Sequence, residues 1–317
     1  MKATAIANSN IAFVKYWGKK DPELNIPMNP SISMTLDTNL STKTTVEFSE
    51  KYSQDEFILN KEKQSGTKLD RVSEFLDLIR KKANTKLKAK VVSINTFPTA
   101  SGIASSASGF AALAYASCEA LNLNLDKNEL SGLARLGSGS ASRSIYGGFV
   151  EWHDKYSTQL KNENYWPELR DIVIIVSKKE KPVSSREAMQ ITVEKSKLYK
   201  ERIKNINKTL DSVRTAILNR DFQDLAKHIM LDSDNMHACI NETGIKYLDN
   251  TSHKIKQIIK NINNTQIKAA YSFDAGPNAH IITLEKYLPL IMKKFAGYDK
   301  IISKPGQGVR LTKEHLF

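Results

Sequence analysis

Cysteine is nearly absent from this 317-residue chain: Cys118 and Cys239 stand far apart, with no Cys-x-x-Cys spacing. That spacing argues against a disulfide scaffold and a cysteine-based zinc site, and it fits a reducing cytoplasm. No apolar run approaches the ~18–20 residues that a membrane helix needs. The opening MKATAIANSN is too short and too polar for a signal-peptide core, so a soluble cytoplasmic protein is expected. Internal repeats and low-complexity linkers are missing as well. What remains is an ordinary globular composition, 40% hydrophobic and 26% charged, long enough for one large domain or two lobes.

Negative charge is also in short supply. Lys and Arg number 47 against 34 Asp and Glu, a net charge of +13. Three readings are open: a surface for nucleic acid or acidic membrane, a cavity for highly phosphorylated small molecules, or lysines spread over solvated helices. Lys195, Lys197, Lys200, Lys204 and Lys208 are scattered with glutamates among them, the pattern of a solvated face. Aromatic and basic residues are not interleaved and no finger or recognition module is present, so no nucleic-acid or membrane partner is expected.

The chain reads as mixed strands and helices. Residues 43–48 and 88–94 are short and β-branched, as strands require. From Gly102 a run of small and apolar residues, IASSASGFAALAYASCEAL, suits a helix packed closely on a sheet. Asp126 with Glu129 forms a capping-box pattern that opens a second helix, and Gly137 and Gly139 break it into a loop. Strands are expected at 147–152 and 171–176, and a long helical region at about 185–230 with breaks near Asp211 and Asp221. A helix around 250–262, strands at 268–273 and 280–284, and a helix at 286–296 follow. This order predicts an α+β fold of two packed lobes, 1–180 and 181–317, divided where Lys178, Lys179 and Pro182 interrupt the pattern.

Several segments carry the residue types of anion chemistry. Pro98-Thr-Ala-Ser101-Gly102-Ile-Ala104-Ser105-Ser106-Ala-Ser108 precedes the small-residue helix. Glycine there lets backbone approach a ligand, the helix start offers free N–H groups, and serine hydroxyls can hold phosphate oxygens or magnesium. It is neither a Gly-Lys-Ser/Thr loop nor a Gly-x-Gly-x-x-Gly turn, and a plain turn capping a buried helix is the alternative. Lys15, Tyr16 and Lys19 put two cations and a phenol in one short stretch, either an anion site or a surface patch. Gly137-Ser138-Gly-Ser140-Ala-Ser-Arg143 reads as a second anion cradle or as a helix C-cap. Asp274 follows the apolar AAYSF and precedes a glycine turn, where a carboxylate can face a cleft or bond its own backbone.

Together these segments resemble the GHMP kinase superfamily, and within it the diphosphomevalonate decarboxylase family. The resemblance rests on Pro98–Ser108, on Asn10-Ile-Ala-Phe-Val-Lys15-Tyr-Trp-Gly-Lys19 with Leu24-Asn-Ile-Pro27 and Ser31-Ile-Ser33, and on Gly137–Arg143. Val183-Ser-Ser185-Arg186 with Met189-Gln-Ile-Thr192, and Phe273-Asp274-Ala-Gly-Pro-Asn-Ala279, complete it in the expected order across about residues 5–285. It implies a ribosomal-S5-like N-terminal lobe, a ferredoxin-like C-terminal lobe, ATP and magnesium as cofactors, and a homodimer. It further implies a mevalonate phosphate, 5-diphosphomevalonate, as substrate, 3-O-phosphorylated by ATP and then stripped of phosphate and carbon dioxide to give isopentenyl diphosphate. By the same resemblance Asp274, Lys15 and Arg71 are catalytic, with Arg71 beside the aspartate. Tyr16, Lys19, Ser138, Ser140, Arg143, Ser185 and Arg186 bind substrate. Pro98, Ser101, Gly102, Ala104, Ser105, Ser106 and Ser108 bind nucleotide, with Ser106 on the metal. For Arg71 an ordinary helical surface arginine, and for the lysines near Arg186 a solvated run, remain alternatives.

The chain departs from the family pattern in places. Ile94 stands where a glutamate is common, Pro30 interrupts Asn29–Ser33, and Thr243–Asn250 and Gly306–Val309 differ from their usual forms. These changes suggest a divergent branch, so a 5-phosphomevalonate or 3,5-bisphosphate decarboxylase, or a mevalonate 3-kinase, stays open on the same fold.

Overall fold

The computed structural model describes residues 1–97, 105–178 and 183–317. The first sheet takes β1 (Lys2–Asn8), and β2 (Asn10–Val14) turns away into a second one. A small hairpin, β3 (Lys19–Asp21) and β4 (Ile26–Pro27), follows, then β5 (Ser31–Thr35) and β6 (Ser41–Ser49). Next come β7 (Glu56–Leu59), β8 (Glu62–Gln64), helix α1 (Thr67–Lys82) and β9 (Lys88–Asn95). The first sheet has the order β1, β6, β9, β7, β8, with β16 (Arg310–Leu311) returning from the far end of the chain to pair with β1.

Alternation places Ala3, Ala5 and Ala7 of β1, Val46 and Phe48 of β6 and Ala89 and Val91 of β9 in one core. Helix α2 (Ser105–Ala120) lies on that face, and its Ala111, Ala112, Ala114 and Ala116 are all buried. Small side chains on both partners explain why a helix with no polar stripe sits here. Asp126 caps α3 (Lys127–Gly137) with the expected reciprocal bonds to Glu129.

Gly137 ends α3 for a reason other than the expected one. Its φ is not left-handed; a Cβ there would stand 2.1 Å from the Phe110 ring. The following residues form not an open loop but a tight 3-10 helix, Gly139–Ile145. β10 (Phe149–Trp152) and β11 (Ser157–Lys161) complete the second sheet, ordered β11, β10, β5, β2.

β12 (Leu169–Ile175) precedes the expected 180/181 division, yet it is an inner strand of the third sheet. That sheet runs β13 (Ala269–Phe273), β14 (Ala279–Leu284), β12, β15 (Asp299–Ser303). The long helical stretch is three helices, α4 (Ser185–Lys195), α5 (Lys197–Asn219) and α6 (Phe222–Glu242). Ser196 and Asp221 are the N-caps. Asp211 breaks nothing: it lies within α5 and pairs with Arg214 at 2.6 Å, an i,i+3 contact that supports a helix. α5 and α6 pack between the second and third sheets, where Ile11, Phe13 and Met34 meet Val173, Ile206, Leu210 and Ile229. On the outer face of the third sheet, α7 (Asn250–Ile262) and α8 (Leu288–Lys294) bury Ile255, Ile259 and Ile291.

Phe110 stands edge-on to Phe75 at 5.3 Å, so its ring cannot yield to an added methyl. Gly137→Ala is therefore expected to lower unfolding stability by about 1–3 kcal/mol, measured by denaturant titration. An unchanged midpoint would show that the α2–α3 contact is loose.

Candidate active site

β2 and β13 end facing one another. Lys15 follows the last residue of β2, Asp274 follows the last residue of β13, and Lys15 Nζ lies 2.7 Å from Asp274 Oδ1. Both line a cleft of about 860 Å³ that also takes in the start of α2 and the 138–143 turn.

Lys15 is 2% exposed, a burial that an ammonium tolerates only beside a counter-charge. Its backbone is gripped as firmly as its side chain. Lys15 N–H donates to Asp232 Oδ2 at 2.7 Å, and the Lys15 carbonyl accepts from Arg202 at 3.2 Å and from Asn29 at 2.9 Å. Arg202 and Asp232 are themselves a buried ion pair at 2.8 Å. For Asp274, burial alone would raise the carboxyl pKa, but Lys15, then His280 and Arg143, outweigh it and hold it at about 2. His280 is fixed from behind by Asp171, 2.7 Å from its Nδ1.

Arg143 is 3% exposed and makes no ion pair among the described residues. Its guanidinium donates instead to Asn10 Oδ1 at 3.1 and 3.2 Å and to Ser31 Oγ at 2.7 Å. Burial pulls its pKa down to about 10, the mark of a cation short of negative charge. Tyr16 stacks edge-on against Trp152 at 4.7 Å. Its buried hydroxyl has no partner among the described residues, and burial pushes its pKa up despite the arginines nearby. Lys19 donates to Asn25 Oδ1 at 2.5 Å, and burial, Arg186 and Arg71 lower its pKa to about 8.

Ser138 Oγ lies 3.2 Å from Ser106 Oγ and 3.3 Å from Ser140 Oγ, linking the 138–143 turn to the first turn of α2. Ser105, Ser106, Ser185 and Arg186 also line the cleft. Ser108 does not: it is buried and its hydroxyl is taken up by Ser9 at 3.2 Å and Thr42 at 2.7 Å, so it fastens α2 to the sheet. Pro98, Ser101, Gly102 and Ala104 lie outside the described residues.

Arg71 is in the cleft but not beside Asp274. Its side chain lies over the Phe110 ring and reaches the Gly137 carbonyl at 3.4 Å. It is open to the cleft yet surrounded by protein, and burial and Arg186 lower its pKa. The arginine acting on Asp274 is Arg143. Asn10, Asn25, Asp232 and Arg202 are the site residues that sequence reasoning did not single out. For Asn10 and Asn25 a faint signal existed, because both lie inside quoted motifs; Asp232 and Arg202 sit in ordinary helical sequence.

The donors suit nucleotide-borne magnesium. No cluster of three or more His, Cys, Asp or Glu able to hold a metal exists among the described residues, while the Ser106 hydroxyl is a hard oxygen donor at the helix start. Magnesium keeps most of its shell as water and phosphate oxygens, so one such hydroxyl is a fitting protein contribution.

A family model described as diphosphomevalonate decarboxylase-like N-terminal domain matches residues 7–162, and one described as mevalonate 5-diphosphate decarboxylase C-terminal domain matches residues 171–313. The diphosphomevalonate decarboxylase of Schizosaccharomyces pombe is 42% identical over 94% of this chain and 83% of its own. The crystal structure of mevalonate diphosphate decarboxylase from Staphylococcus aureus superposes with a TM-score of 0.94 at 37% identity, covering 98% of each chain. A structure described as MDDEF in complex with MVAPP, AMPPCP and magnesium gives a TM-score of 0.93 at 37% identity over 99% of each chain.

The Arg202–Asp232 pair should be costly to halve. Arg202→Met leaves a buried carboxylate alone and is expected to lose about 3–5 kcal/mol of stability, whereas Arg202→Met with Asp232→Leu recovers much of it. Thermal and denaturant unfolding of the two variants provide the check; equal losses would mean the pair is not electrostatically coupled.

Proposed function

Since the chain belongs to the diphosphomevalonate decarboxylase family, we propose that its cleft carries out the ATP-dependent decarboxylation of 5-diphosphomevalonate, with Asp274 and Lys15 at the reacting carbon. The observation that carries this reading is the Lys15–Asp274 pair, its lysine buried and its carboxylate open to a cleft that also holds the start of α2 and the cations Arg143, Arg71 and Lys19.

In this reading Tyr16, Lys19, Ser138, Ser140 and Arg143 hold the anionic groups of the substrate. Ser185 and Arg186 add phosphate contacts, and Arg71 completes the positive wall. Ser105 and Ser106, with Pro98, Ser101, Gly102 and Ala104, hold the nucleotide. Magnesium, when bound through Ser106, neutralises charge on the phosphates. The tertiary 3-hydroxyl takes the γ-phosphoryl group: its oxygen bonds to phosphorus as the bond to the β-phosphate oxygen breaks, leaving ADP, and the hydroxyl proton passes to a phosphate oxygen and from there to water. The C3–O bond then breaks with its electron pair going to phosphate, and the C1–C2 pair becomes the C2–C3 double bond as carbon dioxide leaves.

A carboxylate held at about 2 is a weak base but a dependable negative charge. Asp274 is therefore better suited to orienting the hydroxyl and stabilising positive character at C3 than to removing a proton outright. Lys15 keeps it ionised throughout. The cleft must also exclude water, which would otherwise capture the cation as an alcohol. The two lobes, one with the phosphate loop and one with Asp274, meet at this pair. Action in the cytoplasm is supported by two buried, unpaired cysteines. A homodimer is carried by family resemblance.

Purified protein given 5-diphosphomevalonate and magnesium-ATP is expected to release ADP and carbon dioxide in equal amounts. ADP alone would make it a 3-kinase, and carbon dioxide from a bisphosphate without nucleotide would make it a bisphosphate decarboxylase. Asp274→Asn is expected to bind ATP normally but lose turnover by about 10²–10³. Near-normal turnover would remove Asp274 from the mechanism.

A further inference from the structure

Asn25 sits in the turn of the β3–β4 hairpin at φ 51°, in the left-handed region, and is 2% exposed. Every hydrogen-bonding atom of its side chain is used. Nδ2 donates to the carbonyls of Arg135 at 3.1 Å and Leu136 at 2.8 Å, while Oδ1 accepts from Lys19 Nζ at 2.5 Å. The orientation of the amide is unambiguous, because carbonyls only accept and an ammonium only donates.

The two carbonyls belong to the last turn of α3, where backbone acceptors lack helical partners. That helix runs directly into Ser138, Ser140 and Arg143. The Leu24 carbonyl of the same turn is in addition bonded by Arg135. One side chain thus ties the hairpin that carries Lys19 to the helix end that launches the second anion cradle. Asparagine meets three demands at once: it tolerates left-handed backbone, gives two donors and offers one acceptor. Aspartate would face the two carbonyls with a negative charge.

We propose that Asn25 is a positioning residue for the substrate's diphosphate, holding the Lys19 ammonium at a fixed distance from the 138–143 turn. The inference rests on the reading of Lys19 as a substrate-anion contact. Lys19 has no other hydrogen-bond acceptor among the described residues, and the charged groups acting on it are Arg186 of α4 and Arg71 of α1, both repulsive. Without the Asn25 oxygen the ammonium would be driven away from those arginines and would deprotonate more easily.

The test is a double-mutant cycle. Asn25→Gly keeps the left-handed backbone and removes the amide. It is expected to raise KM for diphosphomevalonate about tenfold, with kcat and the KM for ATP changed less than about threefold. In a Lys19→Met background the same change should add less than about twofold, because the group it positions is gone. The alkaline limb of kcat/KM should move to lower pH in Asn25→Gly, as the protonated Lys19 loses its acceptor, and to higher pH in Asn25→Asp, which supplies a charged one. A merely structural role would multiply with Lys19→Met, raise the KM for ATP as well and leave the limb in place; any of these results overturns the inference. If Lys19→Met alone leaves the substrate KM unchanged, the reading of Lys19 fails first, and that outcome is distinct from a raised KM in Lys19→Met with a normal one in Asn25→Gly.

Discussion

An ammonium taken out of water has to find a counter-charge, and Lys15 finds its own on the other side of the molecule. Its partner Asp274 is 259 positions away, at the end of a strand in a different sheet. The lysine charge is not tolerable alone at that depth, so the ends of β2 and β13 must face each other for it to be buried, while Asp274 keeps part of its carboxylate open to the cleft. The Asp232–Arg202 pair then grips the Lys15 peptide from α6 and α5, which fixes the direction of the side chain as well as its place. The geometry of the Lys15–Asp274 pair and the packing of the second sheet against the third are thus one constraint.

Around that neutralised pair the cleft is left positively charged. Arg143, Arg71 and Lys19 touch no carboxylate among the described residues; burial lowers the pKa of each, outweighing the more distant Asp274 at Arg143 and Glu74 at Arg71. Such a site is strained toward binding polyanions, because each phosphate oxygen that enters replaces lost hydration and relieves repulsion together. Part of the +13 net charge therefore has a purpose in the cleft. The lysines along α4 and α5 are a separate population, exposed or paired locally as Lys204 is with Glu201 at 2.8 Å.

The fold was legible wherever it depended on local pattern. The strands at 88–95, 269–273 and 279–284, the Asp126 cap and α7 follow from alternation, capping chemistry and helical spacing. Asp211 misled because an aspartate inside a helix looks the same in sequence whether it ends the helix or pairs with Arg214. Gly137 misled because a glycine kept small for the Phe110 ring is indistinguishable from one kept for its backbone freedom. Ser108 shares its segment with Ser105 and Ser106, and only the helical rotation of about 100° per residue turns it into the core. Asp232, Arg202 and Asn25 act through main-chain atoms far along the chain; only Asn25 lies inside a motif, and nothing in the helical neighbourhoods of Asp232 and Arg202 marks theirs.

Arg71 shows how far resemblance carries and where physics has to take over. An arginine placed near an aspartate in a motif comparison can serve it only if the folded distance is short. Here Arg71 is held over Phe110 by the same packing that requires glycine at position 137, which sets it against α2 and the end of α3. The electrostatic work on Asp274 is done by Lys15 first, then His280, and the arginine that adds to it is Arg143, anchored by Asn10 and Ser31 on the two strands β2 and β5. The charges that set the aspartate thus come from three places, the end of β2, strand β14 of the third sheet and the Gly139–Ile145 turn, and Arg71 is not among them. The carboxylate therefore stays ionised by contacts fixed where the second and third sheets meet, and Arg71 lies outside that balance.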